Sequence, residues 1–128
     1  MKTSTYNQYG ESAKEAALLG GNPIESWQIV VNDIFDSESA KTKGCPKNTF
    51  LGLCEAGLVK GIPKGNYTNS KLNKEYGITA VTILKTTGII TKKELWQLVK
   101  KELLIEKKAH NSQMDVVIAL WENGLIKK

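Results

Sequence analysis

The sequence predicts a mainly α protein, two tandem three-helix units that share one core, with a small β-hairpin after the third helix. The first observation behind this is a repeat. Tyr9-Gly10-x-x-Ala13 returns as Tyr76-Gly77-x-x-Ala80, and Glu25-x-Trp27-Gln28-Ile29-Val30 returns as Glu94-x-Trp96-Gln97-Leu98-Val99. Leu53-x-Glu55-x-Gly57-Leu58-Val59-Lys60 returns as Leu120-x-Glu122-x-Gly124-Leu125-Ile126-Lys127. The order is kept at offsets of 67, 69 and 67 residues, the mark of a duplicated structural unit. The second observation is that helix starts and stops fall at matching places in both copies. The third is length. A chain of 128 residues makes one ordinary domain, whereas a unit of about 60 residues alone would be marginal. One domain over 1–128 is therefore expected, with a first unit over 5–68 and a second over 69–128.

The first helix is expected from about Thr5 to Leu19, with Tyr6, Tyr9, Ala13, Ala16 and Ala17 on one face and Gly20-Gly21 ending it. The second has an explicit start: Asn22 caps, Pro23 suits the first helical position, and Glu25 completes a capping box. Its apolar stripe is Ile24, Trp27, Val31, Ile34 and Phe35. The polar stretch from Asp36 to Lys43 reads as a loop. A third helix then begins at Pro46 with Cys45 as its cap and ends at Gly57, where Leu58 suits a Schellman contact. The second unit repeats these parts. One helix runs from about Ser70 to Thr87, the next starts with the box Thr91-x-x-Glu94, and the last starts with Ser112-x-x-Asp115 and stops at Gly124. Between the units, Leu58 to Thr68 reads as two short strands around a Pro/Gly turn. Leu125-Ile126-Lys127 is expected beside Leu58-Val59-Lys60, because a lone hairpin needs a further strand or helix against it.

Composition narrows the function classes. With 41% hydrophobic and 24% charged residues the chain is that of a folded domain rather than a disordered one. Its first residues lack the apolar core of a secretory leader, and no apolar run is long enough to span a bilayer. A soluble cytoplasmic protein is expected. Cys45 and Cys54 lie nine positions apart in one expected helix, beyond disulfide reach, which fits a reducing compartment. One His and two Cys leave no spaced ligand set for zinc, and no cofactor is expected.

All 18 basic residues are lysine. Lysine is a hydrated point charge without the planar fork that arginine offers to guanine, so contact with nucleic acid would fall on the backbone. The charge is uneven: residues 1–40 carry a net −4, residues 41–74 a net +6 and residues 75–128 a net +3. The basic field thus centres on the expected hairpin, where Lys60, Lys64, Lys71 and Lys74 alternate with Asn66, Tyr67 and further amide and hydroxyl side chains. With Lys47 and Asn48 on the third helix, these are the candidate binding residues. The partner they imply is anionic, either a nucleic-acid backbone or an acidic protein surface. A homo-oligomer stays open.

Two further features carry chemistry. Cys45, at a helix start between Lys43 and Lys47, meets the two conditions that favour a thiolate. His110 stands in the matching loop of the other copy, so a small thiol enzyme built on Cys45 and His110 is the alternative to a binding protein. Trp27 and Trp96 read as core anchors whose indole N–H groups find partners. Glu55 and Glu122 read as surface carboxylates paired with Lys60 and Lys127.

The segments from Lys43-Gly44-Cys45-Pro46-Lys47 through Phe50-Leu51-Gly52-Leu53-Cys54-Glu55-Ala56-Gly57-Leu58-Val59-Lys60-Gly61, together with His110-Asn111-Ser112-Gln113-Met114-Asp115-Val116-Val117, resemble a family of short bacterial proteins of unknown function. That resemblance carries no catalytic residue over. More generically, three helices followed by a hairpin over 9–68 are similar to winged-helix domains, which implies a third helix facing DNA and a hairpin against its backbone.

Overall fold

A computed structural model of the chain describes residues 6–88, 91–105 and 108–127. Its elements are α1 (Gln8–Leu19), α2 (Pro23–Ile34), α3 (Glu38–Lys41), α4 (Gly44–Glu55), α5 (Lys71–Thr87), α6 (Lys92–Leu103) and α7 (Gln113–Glu122). The mainly helical class holds. The helix start expected at Thr5 lies outside the described residues.

The capping signals explain most boundaries. The Asn7 side chain accepts from the N–H groups of Tyr9 and Gly10, and Asn22 accepts from Ile24 and Glu25 ahead of Pro23. Such caps satisfy donors that the first turn leaves unpaired. Thr91 and Glu94 close a full reciprocal capping box, whereas at α2 only the Asn22 half forms. At the other ends, Leu58 N–H donates to the Leu53 carbonyl at 3.0 Å and Leu125 N–H to the Leu120 carbonyl at 2.8 Å. Gly57 and Gly124 supply the positive φ, +77° and +69°, that this Schellman geometry requires.

The long helices interleave. α1 packs on α2 and α5 on α6, but the most extensive contacts cross between repeats: α4 lies against α5, and α1 lies against α7. Glycines set those crossings. A Cβ on Gly10 would sit 2.6 Å from the Asp115 carbonyl oxygen, and a Cβ on Gly52 would sit 2.5 Å from the Lys74 Cα. At such approaches a methyl group has no room. Residues 112–120 are all buried, so α7 is the central rod. One apolar cluster takes in Trp27, Phe50, Leu53, Tyr76, Trp96 and Val117 from both repeats.

The β-hairpin is not there. Among the described residues there is no strand, and the only ladder element is an isolated antiparallel bridge between Val59 and Ile126. Lys60 N–H donates to the Leu125 carbonyl and Lys127 N–H to the Leu58 carbonyl, both at 2.8 Å. Each of these two hydrogen bonds becomes the other when 67 is added to one partner and subtracted from the other. The two segments do meet as expected, but one bridge long. A hairpin fails because the backbone after Gly61 finds other partners: the N–H groups of Tyr67 and Thr68 donate to a Glu55 carboxylate oxygen at 2.8 and 3.2 Å. With no hairpin there is no wing, and the winged-helix likeness loses the element that defined it.

Smaller corrections follow the same logic. Residues 38–41 form a helical turn inside the expected loop, capped by Ser37 and held to α1 by the Tyr9 hydroxyl, which donates to the Ala40 carbonyl at 2.9 Å. α4 starts two residues before Pro46 with Lys43 at its cap position, so Cys45 lies inside the first turn and caps nothing. Ser112 adopts a left-handed conformation, φ +67°, and its side chain does not cap α7. Trp27 and Trp96 are both core residues, 1% and 6% exposed. The Trp27 ring stacks on Phe50, yet its N–H lacks the expected partner among the described residues.

Candidate functional site

Glu55, near the end of α4, organises the segment that follows. One carboxylate oxygen takes the Tyr67 and Thr68 N–H groups, and the other takes the Lys74 ammonium at 2.7 Å. The Lys74 hydrogen bond, then the two backbone donors, hold the Glu55 carboxyl far below its ordinary range, at about 2. Further ties fix the same stretch. The Thr68 hydroxyl donates to Asn48 Oδ1 at 2.7 Å and accepts from Ser70 N–H at 3.1 Å, while the Tyr67 hydroxyl donates to the Pro63 carbonyl at 2.7 Å. Ser70 then caps α5. Residues 66–70, without regular structure, are thereby held at Tyr67, Thr68 and Ser70.

This segment walls two open hollows. One, of about 990 Å³, lies against α4 and is lined by Lys47, Asn48, Asn66, Tyr67, Asn69 and Ser70, among others. The second, of about 540 Å³, shares Asn66, Thr68, Asn69 and Ser70 and adds Lys71, Lys74 and Glu55. The structure thus brings together Lys47, Asn48, Asn66 and Tyr67, with Lys71 and Lys74 across the shared wall. It does not bring the rest. Lys64 lays its stem over Gly57, and Lys60 faces a separate hollow with Lys85, Trp121 and Lys127. Lys74 is neutralised by Glu55, so Glu55 pairs with a residue 19 positions on rather than with Lys60. Thr68, Asn69 and Ser70, with the apolar Ile24 and Leu51, complete the first hollow. The polar run was visible in sequence, but what gives it shape is the distant Glu55.

Cys45 and His110 have other engagements. Cys45 is half-buried, and its carbonyl accepts from the Thr49 hydroxyl at 2.8 Å. His110 packs its ring on Trp96 at 5.2 Å, and its Nε2 accepts the Met114 N–H at 3.1 Å. The imidazole therefore does at α7 what Ser112 was expected to do. Burial lowers the His110 pKa against the pull of Asp115, with the charges of Lys92 and Lys43 adding to the lowering. No hydrogen bond joins Cys45 to His110 among the described residues. Cys54 is fully buried, and burial pushes its thiol far up.

Beside His110 lies a buried polar knot that the sequence did not announce. Asp115, 1% exposed, takes the Lys92 ammonium at 2.8 Å and the Asn7 N–H at 3.0 Å on the same carboxylate oxygen. The Asn7 amide in turn donates to Ser112 Oγ at 3.1 Å. The knot ties α1, α6 and α7 together, and its charges are matched internally, as a buried charge requires. It reads as architecture.

Residues 6–127 match a protein family of unknown function, DUF6979. The chain belongs to that family. No curated protein and no solved structure matches it. Membership in DUF6979 fits the resemblance read from the sequence and brings no activity with it. Among the described residues no group of three His, Cys, Asp or Glu side chains converges as a metal site would require, and no helix is long and apolar enough to cross a membrane.

Proposed function

We propose that this member of DUF6979 is a non-enzymatic binding protein of the cytoplasm that takes the phosphate backbone of a nucleic acid along the 66–70 segment and the adjoining face of α4. One observation carries the reading: a hollow of about 990 Å³ in which Lys47 stands among six neutral hydrogen-bonding side chains, Asn48, Asn66, Tyr67, Thr68, Asn69 and Ser70. Phosphate oxygens are met by such a mixture of ammonium, amide and hydroxyl groups. Lys71 in the adjoining hollow adds a second cation, beside the Glu75 carboxylate of the same helix. Because every cation is lysine, the contact reads charge and not base sequence. The thiol alternative has no comparable support, since the His110 lone pair is already committed to Met114.

The test is a titration with labelled single- and double-stranded oligonucleotides of unrelated sequence at low and moderate salt. Binding is expected to differ little between sequences and to fall as salt rises, with a log–log slope of about −2 for two phosphates released from counterions. Lys47→Glu with Lys71→Glu should abolish it without changing the melting temperature. An absence of binding at low salt would reject the nucleic-acid reading and leave an acidic protein surface as the anionic partner.

A further inference from the structure

The hollow on the opposite repeat has a different character. Lys60, Lys85, Trp121, Gly124, Ile126 and Lys127 enclose about 330 Å³ where α5 ends near the Val59–Ile126 bridge. Lys60, Lys85 and Lys127 are exposed and form no ion pair among the described residues. The Trp121 side chain packs against the core and is partly exposed. Three unpaired ammonium groups thus surround an apolar floor.

The first repeat shows what such a place holds when it is filled. By the 67-residue correspondence Gly124 matches Gly57, Ile126 matches Val59, Trp121 matches Cys54 and Lys85 matches Leu18. In the first repeat the chain itself runs across this place. The Gly61 carbonyl oxygen lies 3.8 Å from where a Gly20 Cβ would be, at the end of α1, and the Lys64 Cγ lies 2.6 Å from where a Gly57 Cβ would be. Between them Ile62 is 1% exposed, and Cys54 beneath is fully buried. Here Val59 to Ile62 form a turn, the Ile62 N–H donating to the Val59 carbonyl at 3.3 Å around Gly61 at φ +83°, and the turn carries one buried aliphatic side chain into the core. Among the described residues nothing covers Trp121 and Gly124 in that way.

We propose that the hollow around Trp121 docks a short turn-forming segment of a partner protein, one that lays a single aliphatic side chain against Trp121 and Ile126 and carries acidic residues on either side. The aliphatic side chain follows from Ile62 in the filled copy. The acidic flanks follow from the three lysines, which would repel a copy of the chain's own Lys60-Gly61-Ile62-Pro63-Lys64. The mode is that of a peptide whose one anchored side chain gives affinity and whose charges give selectivity. The site shares no lysine with the phosphate-binding hollows, so either reading stands or falls without the other.

The test uses the blocked peptide Glu-Gly-Ile-Pro-Glu, the chain's own plug with its charges reversed, titrated into 15N-labelled full-length protein at low salt. The Trp121 indole N–H is expected to shift saturably, while those of Trp27 and Trp96 stay in place. Replacing the isoleucine of the peptide by serine should weaken binding roughly tenfold or more, since the anchor is lost. Lys85→Glu with Lys127→Glu in the protein should do the same with the fold intact, as both side chains are exposed, and Lys-Gly-Ile-Pro-Lys should not bind. The proposal is overturned if no saturable Trp121 shift occurs or if the serine peptide binds equally well. It is overturned too if oligothymidylate moves Trp121 while the acidic peptide does not.

Discussion

Where the first repeat exposes Leu18, Leu19 and Ile29 in a groove between α1 and α2, rimmed by Glu11, Glu15 and Asp33, the second carries Lys85, Thr86 and Leu98 at the matching positions. The matching groove between α5 and α6 is rimmed by Thr82, Lys101 and Glu102. Inward positions behave otherwise. Trp27 and Trp96, and Gly10 and Gly77, keep their residue types and are buried in both repeats. The contrast teaches that a few anchoring positions of the shared core recur in both repeats, while the exposed faces between the paired helices diverge. Function is therefore to be sought where the repeats differ: in the 61–70 segment and in the hollow around Trp121.

The sharpest way to break the comparison is at Gly52, whose counterpart is Ala119. α5 begins a turn earlier than α1 does, so backbone at Lys74 presses on Gly52, whereas Ala119 already carries a buried methyl group. Gly52→Ala is expected to force α4 and α5 apart and cost about 3 kcal/mol. Ala119→Gly should cost only about 1 kcal/mol, through helix propensity. Chemical denaturation of both variants measures the difference, and equal losses would mean that the crossings at the two repeats are alike.

Asp115 and its counterpart Asn48 give the next largest effect. Asp115 is buried and binds Lys92 and Asn7, while Asn48 is half-exposed and accepts from Thr68 alone. Asp115→Ala should cost about 2 kcal/mol, since it removes an ionic hydrogen bond to Lys92 and leaves the part-buried Asn7 N–H without its acceptor. Asn48→Ala should cost about 1 kcal/mol or less and act on the 66–70 segment. Thermal melts, with hydrogen exchange at Tyr67 and Thr68, separate the two.

Acid should act on the two repeats in different pH ranges. The Glu55 carboxyl is lowered from 4.5 to about 2. Its stabilising effect is therefore complete above about pH 4.5 and fades as pH falls toward 2. Glu55→Gln should cost about 1 kcal/mol at neutral pH, a difference that shrinks as pH falls toward 2 and vanishes below it, where the Glu55 carboxyl is protonated. His110 is lowered from 6.5 by burial, so its contribution is present above about pH 6.5 and is lost as pH falls through the lowered value. Protonation also removes the lone pair that accepts from Met114, so α7 should fray at its start before the Glu55 segment loosens. Amide exchange followed between pH 7 and pH 3 would show that order, and the reverse order would contradict it.

What the sequence revealed about these differences was set by range. Asn22, Thr91, Gly57 and Gly124 act within a turn of themselves, so helix limits and the two Schellman ends could be read from neighbouring residues. The hairpin could not be judged that way, because its competitor was a carboxylate 12 residues back from Tyr67. The same holds for the start of α7. Ser112 looked like a cap, but the acceptor is the His110 ring, set by its packing on Trp96. Of the candidate site, the polar character of 66–70 and the lysines were legible. Which lysines remain available was not, because Lys74 is neutralised by Glu55 from another helix.

The smallest effect is expected on the exposed leucines. Leu18→Lys with Leu19→Thr, which copies the second repeat onto the first, should change stability by about 0.5 kcal/mol or less, since both side chains are more than half exposed. A larger loss in equilibrium unfolding would mean that this groove is covered in solution.

The most direct test of the account uses lysine count against lysine placement. α6 carries Lys92, Lys93, Lys100 and Lys101, more cations than line the hollow beside 66–70. Titration of a double-stranded oligonucleotide into 15N-labelled protein at low salt, read as amide and side-chain shifts, is predicted to move Lys47, Asn48, Asn66, Asn69 and Lys71 and to leave α6 in place. Shifts that follow α6, or that spread over every lysine in proportion to exposure, would contradict it and reduce the 66–70 segment to a well-anchored connection between two repeats.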